Sequence, residues 1–137
     1  INSRKFEWST MMFAENKRAA IRVQGDLMKD GLVGQQDIFV RRYVPLKTLA
    51  QGLQGLPIAN EFRFFVCQGQ VLCGGYYWSS HVDELTPKPS IAEVPAAFLR
   101  EVVSRIKCKF YAVDVAEKAS GGVDRRGDKH GRAVWVV

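Results

Sequence analysis

The chain has 137 residues, 47% of them hydrophobic and 25% charged, with a formal net charge of +6. These values describe one domain, residues 1–137, large enough to bury a core, and exclude a disordered chain. No apolar run approaches the ~20 residues of a membrane span, and no secretory signal is present. The positive balance favours an anionic partner, either a nucleic acid or a phosphorylated small molecule. Cys67, Cys73 and Cys108 are odd in number and form no C-x-x-C pair, which argues against a disulfide framework or a zinc site and fits a reducing cytoplasm. Their apolar surroundings suit cysteine as a small hydrophobe.

Lys5–Thr10 alternates loosely and suits a short strand. From Glu15 to about Met28 the chain is free of proline and rich in helix formers, with Ala20, Val23 and Leu27 on one side and Lys17, Arg18 and Arg22 on a solvated one. Gly31 and Gly34 break it. Asp37–Pro45 is β-branched and aromatic, and predicts a strand closed by proline, with Arg41 and Arg42 on opposite faces. Leu46–Gln51 suggests one helical turn, and Gly52, Gly55 and Pro57 a loop.

Two apolar-aromatic runs then flank Cys67-Gln68-Gly69-Gln70. Glycine supplies the positive φ of a two-residue hairpin turn, so Gln68-Gly69 is predicted as the turn, pairing Val66 with Val71, Phe64 with Cys73 and Phe62 with Gly75. Alternation places Phe62, Phe64, Val66, Val71, Cys73 and Tyr77 on a core face. Glu61, Arg63, Phe65, Leu72, Gly74 and Tyr76 take the other, with Gly74 opposite the arginine, where a glycine lets a ligand approach.

His81–Pro89 reads as a polar loop. Ser90-Ile91-Ala92-Glu93 has capping-box spacing, and Pro95 suits a first helical turn. Phe98, Leu99, Val102, Val103 and Ile106 form a helical stripe whose work is packing. Phe110–Ala116 is a strand that carries an aspartate, Asp114, on one face with Phe110, Ala112 and Ala116. An aspartate inside a strand faces water, pairs with a cation or binds a metal. A polar loop, Glu117–Gly131, leads to a last strand, Ala133–Val137.

The sequence lacks a P-loop, a dinucleotide fingerprint, a zinc-protease helix and a nucleophile elbow. What remains is Arg41 and Arg42, the pair Glu61 and Arg63, and Asp114. An ordinary surface ion pair is the plain alternative for Glu61 and Arg63. Arg41, Arg42, Tyr76–Trp78 and the loop Arg125–Lys129 would alternatively serve a basic nucleic-acid-binding module by stacking and phosphate contact.

The ordered segments Arg-Arg-Tyr-Val-Pro, Pro-Ile-Ala-Asn-Glu-Phe-Arg-Phe-Phe-Val and Tyr-Ala-Val-Asp-Val-Ala-Glu, from about Phe39 onward, resemble the nucleotide-binding half of ATP-grasp proteins. The resemblance is closest to the bacterial and phage-associated clade named for one arginine and two lysines. It implies an α+β fold, an antiparallel sheet with flanking helices, and ATP and Mg2+ as cofactors. The implied activity joins a carboxylate to an amine or related nucleophile through an acyl-phosphate. By the same resemblance Arg41, Arg42, Tyr43 and Val44 form the adenine-contacting hinge, Glu61 accepts from the ribose hydroxyls, Arg63 is the catalytic cation at the phosphates, and Asp114 is the first magnesium ligand. Arg42 is basic where relatives commonly carry an acid. The family's second metal carboxylate is expected directly after Val137, and Lys5 as a remnant of the phosphate-binding subdomain. The resemblance thus implies a fragment of the full fold, with residues 1–36 the least matched, inactive or weakly nucleotide-binding alone. A non-catalytic interaction domain that kept the fold is a third reading.

Overall fold

The computed structural model describes residues 12–31, 33–119 and 133–137. The expected strand Lys5–Thr10 with Lys5, and the loop residues Arg125–Lys129, lie outside the described residues. The architecture is α+β, and its sheets are antiparallel. The chain divides into two compact units, one of residues 1–44 and 51–57 and one of residues 45–50 and 58–137.

In the first unit, Asn16 starts helix α1, Lys17–Lys29, by accepting from the Ala19 N–H at 2.9 Å, which satisfies one of the helix's orphan donors. Val23 and Leu27 are its buried face. Asp30 closes the helix, and its carboxylate accepts from the Val33 N–H. The predicted strand over residues 37–45 is instead extended chain with no ladder among the described residues, and Phe39 and Val40 are exposed. Its β-forming composition shows only that it suits a pleated surface; a strand also needs a neighbour.

Strand β1, Thr48–Gln51, occupies the stretch expected to be a helical turn, and pairs with β2, Pro57–Ala59. The helical turn comes later, a 3-10 turn over Leu53–Gly55.

The second unit is built on a four-stranded sheet in the order β4-β3-β5-β6: β3 Glu61–Cys67, β4 Gln70–Tyr76, β5 Phe110–Glu117 and β6 Trp135–Val136. Gln68 (φ 49°) and Gly69 (φ 77°) form the predicted two-residue turn, with both central residues at the positive φ that matches strand twist. Val66 pairs with Val71 as expected, but a bulge follows: Phe65 faces Cys73, Phe64 faces Gly74, Arg63 faces Gly75 and Phe62 faces Tyr76. Leu72 is the extra residue.

From that point β4 is turned over relative to the sequence expectation. Tyr76 packs toward the core, its ring 5.7 Å from that of Phe62, and its hydroxyl donates to the Ala59 carbonyl at 3.0 Å. Tyr77 and Gly75 take the opposite face, and Gly74, expected there, lies over Phe64.

Phe62, Phe64, Val66, Val113, Val115 and Trp135 are buried together with Val103 of helix α2, Ala96–Arg105. Phe98, Leu99, Val102 and Ile106, the rest of the predicted stripe, pack against them. The Ser90–Glu93 capping box forms, but it caps a separate 3-10 turn; Pro95 then occupies the N-cap of α2 rather than its first turn. The residues after β4 make another 3-10 turn, Ser79–Glu84, where a loop was expected. Cys73 and Cys108 are exposed rather than packed, and all three thiols are free. No described helix is long and apolar enough to cross a membrane.

Candidate functional site

The two long antiparallel strands β3 and β5 pair over seven residues, placing Arg63 directly opposite Asp114 and Glu61 opposite Ala116. Because side chains alternate, Glu61, Arg63 and Phe65 of β3 share one face with Ala112, Asp114 and Ala116 of β5. Cys73 and Gly75 join them from β4, followed by Tyr77, whose N–H donates to the Glu61 carbonyl. The opposite face carries the core.

Arg63 donates from Nε to Asp114 Oδ1 and from Nη2 to Oδ2, both at 2.7 Å. Two parallel bonds to one carboxylate fix the guanidinium plane, which a lysine cannot do. Its Cζ lies 4.6 Å from the centroid of the Tyr77 ring, a cation–π distance. The hydrogen bond to Asp114 holds the Arg63 pKa above the ordinary guanidinium value, partial burial opposing it; Arg63 is a permanent cation. Nη1 has no partner among the described residues.

Glu61 accepts from Trp78 Nε1 at 3.1 Å, and the Trp78 ring meets Tyr77 edge-on at 5.0 Å. Arg63, Phe65, Gly75, Tyr76 and Tyr77 line an open concavity of about 450 Å³. Thus the expected residues Glu61, Arg63 and Asp114 are brought onto one face.

Arg41, Arg42, Tyr43 and Val44 belong to the other unit. Both arginines are exposed, and Tyr43 meets the ring of Phe13 edge-on at 5.0 Å. Among the aromatics expected to stack on nucleic acid, Tyr76 faces the core, Tyr77 carries Arg63 and Trp78 is tied to Glu61.

A second polar group lies at the end of this sheet. Lys47 Nζ and Asn60 Nδ2 each donate to Glu117 Oε2 at 2.8 Å, and Asn60 Nδ2 also donates to Glu93 Oε2 at 3.1 Å. Asn60 is 1% exposed and Glu117 8%. Backbone bonds lace the same segments: Lys47 N–H to the Glu117 carbonyl, Asn60 N–H to the Lys47 carbonyl, Glu117 N–H to the Asn60 carbonyl and Ala119 N–H to the Pro45 carbonyl. Residues 45–47 are thereby clamped to the start of β3 and the end of β5. Burial, with Glu61 and Glu93 adding to it, pushes the Tyr76 phenol up to about 12.

Neither the clamp nor Tyr77 emerged as part of the site from sequence. The bulge hid Tyr77, and Lys47 and Glu117 are separated by 70 positions. The pairing of Asn60 and Glu61 at a strand start was the available signal for the clamp, since a buried amide there needs partners.

Among the described residues no cluster of three or more His, Cys, Asp or Glu is placed to hold a metal. No curated protein and no solved structure matched the chain. A family model matches residues 2–124: an ATP-grasp domain, family 3 of the clade named for one arginine and two lysines. That span includes the N-terminal segment that the motifs alone did not reach, together with the strands bearing Glu61, Arg63 and Asp114. The chain therefore belongs to the third ATP-grasp family of that clade, nucleotide-binding domains of the ATP-dependent ligase type.

Proposed function

We propose that the face carrying Glu61, Arg63 and Asp114 binds Mg2+-ATP, and that the intact protein ligates a carboxylate to an amine or related nucleophile through an acyl-phosphate. The observation that carries this reading is the two-bond pair between Arg63 and Asp114 on an open sheet face, with Glu61 two residues along the same strand.

The residues suit the metal. Arg63 takes one acceptor position on each Asp114 oxygen, and a carboxylate offers roughly four. Magnesium at nucleotide sites is held by one or two carboxylates plus phosphate oxygens, so a larger protein cage is not needed. Asp114 would hold the ion, which would supply neutralisation of phosphate charge there.

The chain's own groups supply orientation. Glu61 accepts from ribose hydroxyls. Arg63 directs Nη1 at the phosphate or acyl-phosphate oxygens, while Asp114 and Tyr77 fix its plane beforehand, so little reorganisation accompanies charge development.

Calorimetry with Mg2+-ATP on wild type, Arg63→Ala and Asp114→Asn tests the reading. Weaker binding by about tenfold or more in each variant, some 1.4 kcal/mol, is expected. Equal affinity in all three removes these residues from the site.

A further inference from the structure

Gly74 and Gly75 are neighbours on β4 under opposite constraints. A Cβ on Gly74 would fall 2.4 Å from Phe64 Cδ1 and 3.0 Å from the Arg63 carbonyl oxygen. The core ring of Phe64 therefore dictates glycine there. A Cβ on Gly75 meets nothing within 4 Å, and its φ lies outside the left-handed region. Neither packing nor backbone conformation asks for glycine at that position. Yet glycine inside a strand lowers stability relative to alanine, and it marks places where a ligand or another backbone comes close.

Gly75 sits opposite Arg63 in the ladder and lines the concavity with Phe65, Tyr76 and Tyr77. The bare backbone is the floor. Phe65, 39% exposed although it lies in the middle of β3, is an aromatic wall. Arg63, another lining residue, is held by Asp114 through Nε and Nη2 and keeps Nη1 as a donor.

We propose that this concavity is a subsite for a planar aromatic carboxylate, which lies on the β4 backbone at Gly75, with its ring against Phe65 and its carboxylate on Arg63. Asp114 offsets much of the arginine's charge, so attraction to a bare anion is weak and the ring contact decides affinity. A small saturated acid such as acetate lacks that contact. The absence of a side chain at Gly75 sets the selectivity for a flat body. That the bound acid is the substrate rests on the ligation proposed above; its binding does not.

The test is saturation-transfer NMR of the chain with benzoate, acetate and neutral benzamide, each with and without Mg2+-ATP. Saturable benzoate binding is expected in wild type, with acetate much weaker and benzamide, which keeps the ring contact, only modestly weaker. Gly75→Val should lose benzoate binding while keeping the wild-type circular dichroism and an unfolding midpoint no lower than that of wild type, because its side chain fills only the concavity. Gly75→Ala is the second variant should valine prevent folding, and is expected to weaken benzoate binding. No saturable benzoate binding in wild type, equal binding of benzoate and acetate, or benzoate binding unchanged in the folded Gly75 variants would overturn the subsite. Mg2+-ATP titration of the same samples reads the nucleotide site separately. Benzoate binding without nucleotide binding sinks the ligase reading and leaves the subsite; nucleotide binding without benzoate does the reverse.

Discussion

Arg63 and Asp114 face each other across β3 and β5 and share two hydrogen bonds of equal length, 2.7 Å. The side chains are 41% and 37% exposed, so solvent screens the pair and it adds little to folding stability. Its worth lies in holding two charged groups in a fixed relation. Asp114→Asn is expected to shift the unfolding free energy by no more than about 1 kcal/mol, while removing the magnesium dependence of nucleotide binding. Urea titration, set beside calorimetry at varied Mg2+, checks both. A large stability loss with unchanged magnesium dependence would make the pair structural.

Arg63→Lys separates charge from geometry. Lysine keeps the cation but loses the planar fork and its stacking on Tyr77. Nucleotide affinity is expected to fall nearly as far as in Arg63→Ala. Affinity close to wild type in the lysine variant would show that a point charge suffices.

The two glycines of β4 should respond in opposite directions to the same substitution. Gly74→Ala forces the Phe64 ring to move and is expected to destabilise by about 1–3 kcal/mol. Gly75→Ala enters open space and restricts the unfolded chain, so stability should hold or rise by about 0.4–1 kcal/mol. Chemical unfolding of the two variants under identical conditions decides the matter.

Glu117 holds Lys47 and Asn60 with one oxygen. Glu117→Ala would leave the buried Asn60 amide with Glu93 as its remaining acceptor and remove the ion pair to Lys47, while the backbone bonds of residues 45–47 persist. A loss of about 2–4 kcal/mol is expected, moderated because Lys47 is half-exposed. Glu117→Gln keeps an acceptor for Asn60 and should cost less. Equal losses would assign the effect to the charge on Lys47 alone.

Tyr76 supplies a pH test. Its phenol is pushed up to about 12 in the fold, chiefly by burial, so the native state favours the protonated form. The stability this contributes is complete below the ordinary phenol pKa near 10. It is lost as the pH climbs from there toward 12. Ultraviolet titration of the tyrosinates should show one late-ionising component that disappears in Tyr76→Phe. That variant also loses the bond to the Ala59 carbonyl, at about 1 kcal/mol. Unchanged late ionisation in Tyr76→Phe would move the assignment to another tyrosine.

Local chemistry was legible in the sequence, and long-range pairing was not. Gln68-Gly69 announces its turn because positive φ is costly for most residues. The stripe from Phe98 to Ile106 announces a helix because five apolar side chains share one side. Glu61 and Arg63 share a face by simple alternation. By contrast, Asp114 joins them only through the β3–β5 register, which links positions 51 residues apart. Residues 37–45 have strand composition but pair with no strand among the described residues, whereas Thr48–Gln51 is a strand because β2 lies beside it. The clamp of Lys47, Asn60 and Glu117 left no periodic trace, since its members come from three separate segments.

The extra residue at Leu72 acts as a parity switch on the outer strand. Every side chain between it and the end of β4 owes its inside or outside position to the bulge. Ironing the bulge out with Leu72 kept in the ladder would exchange Tyr76 with Tyr77, turning a phenol from the interior outward, whereas deleting Leu72 would leave Phe62 opposite Tyr76 and both tyrosines where they are. In this hairpin one unpaired residue therefore decides which of two adjacent rings lies under Arg63.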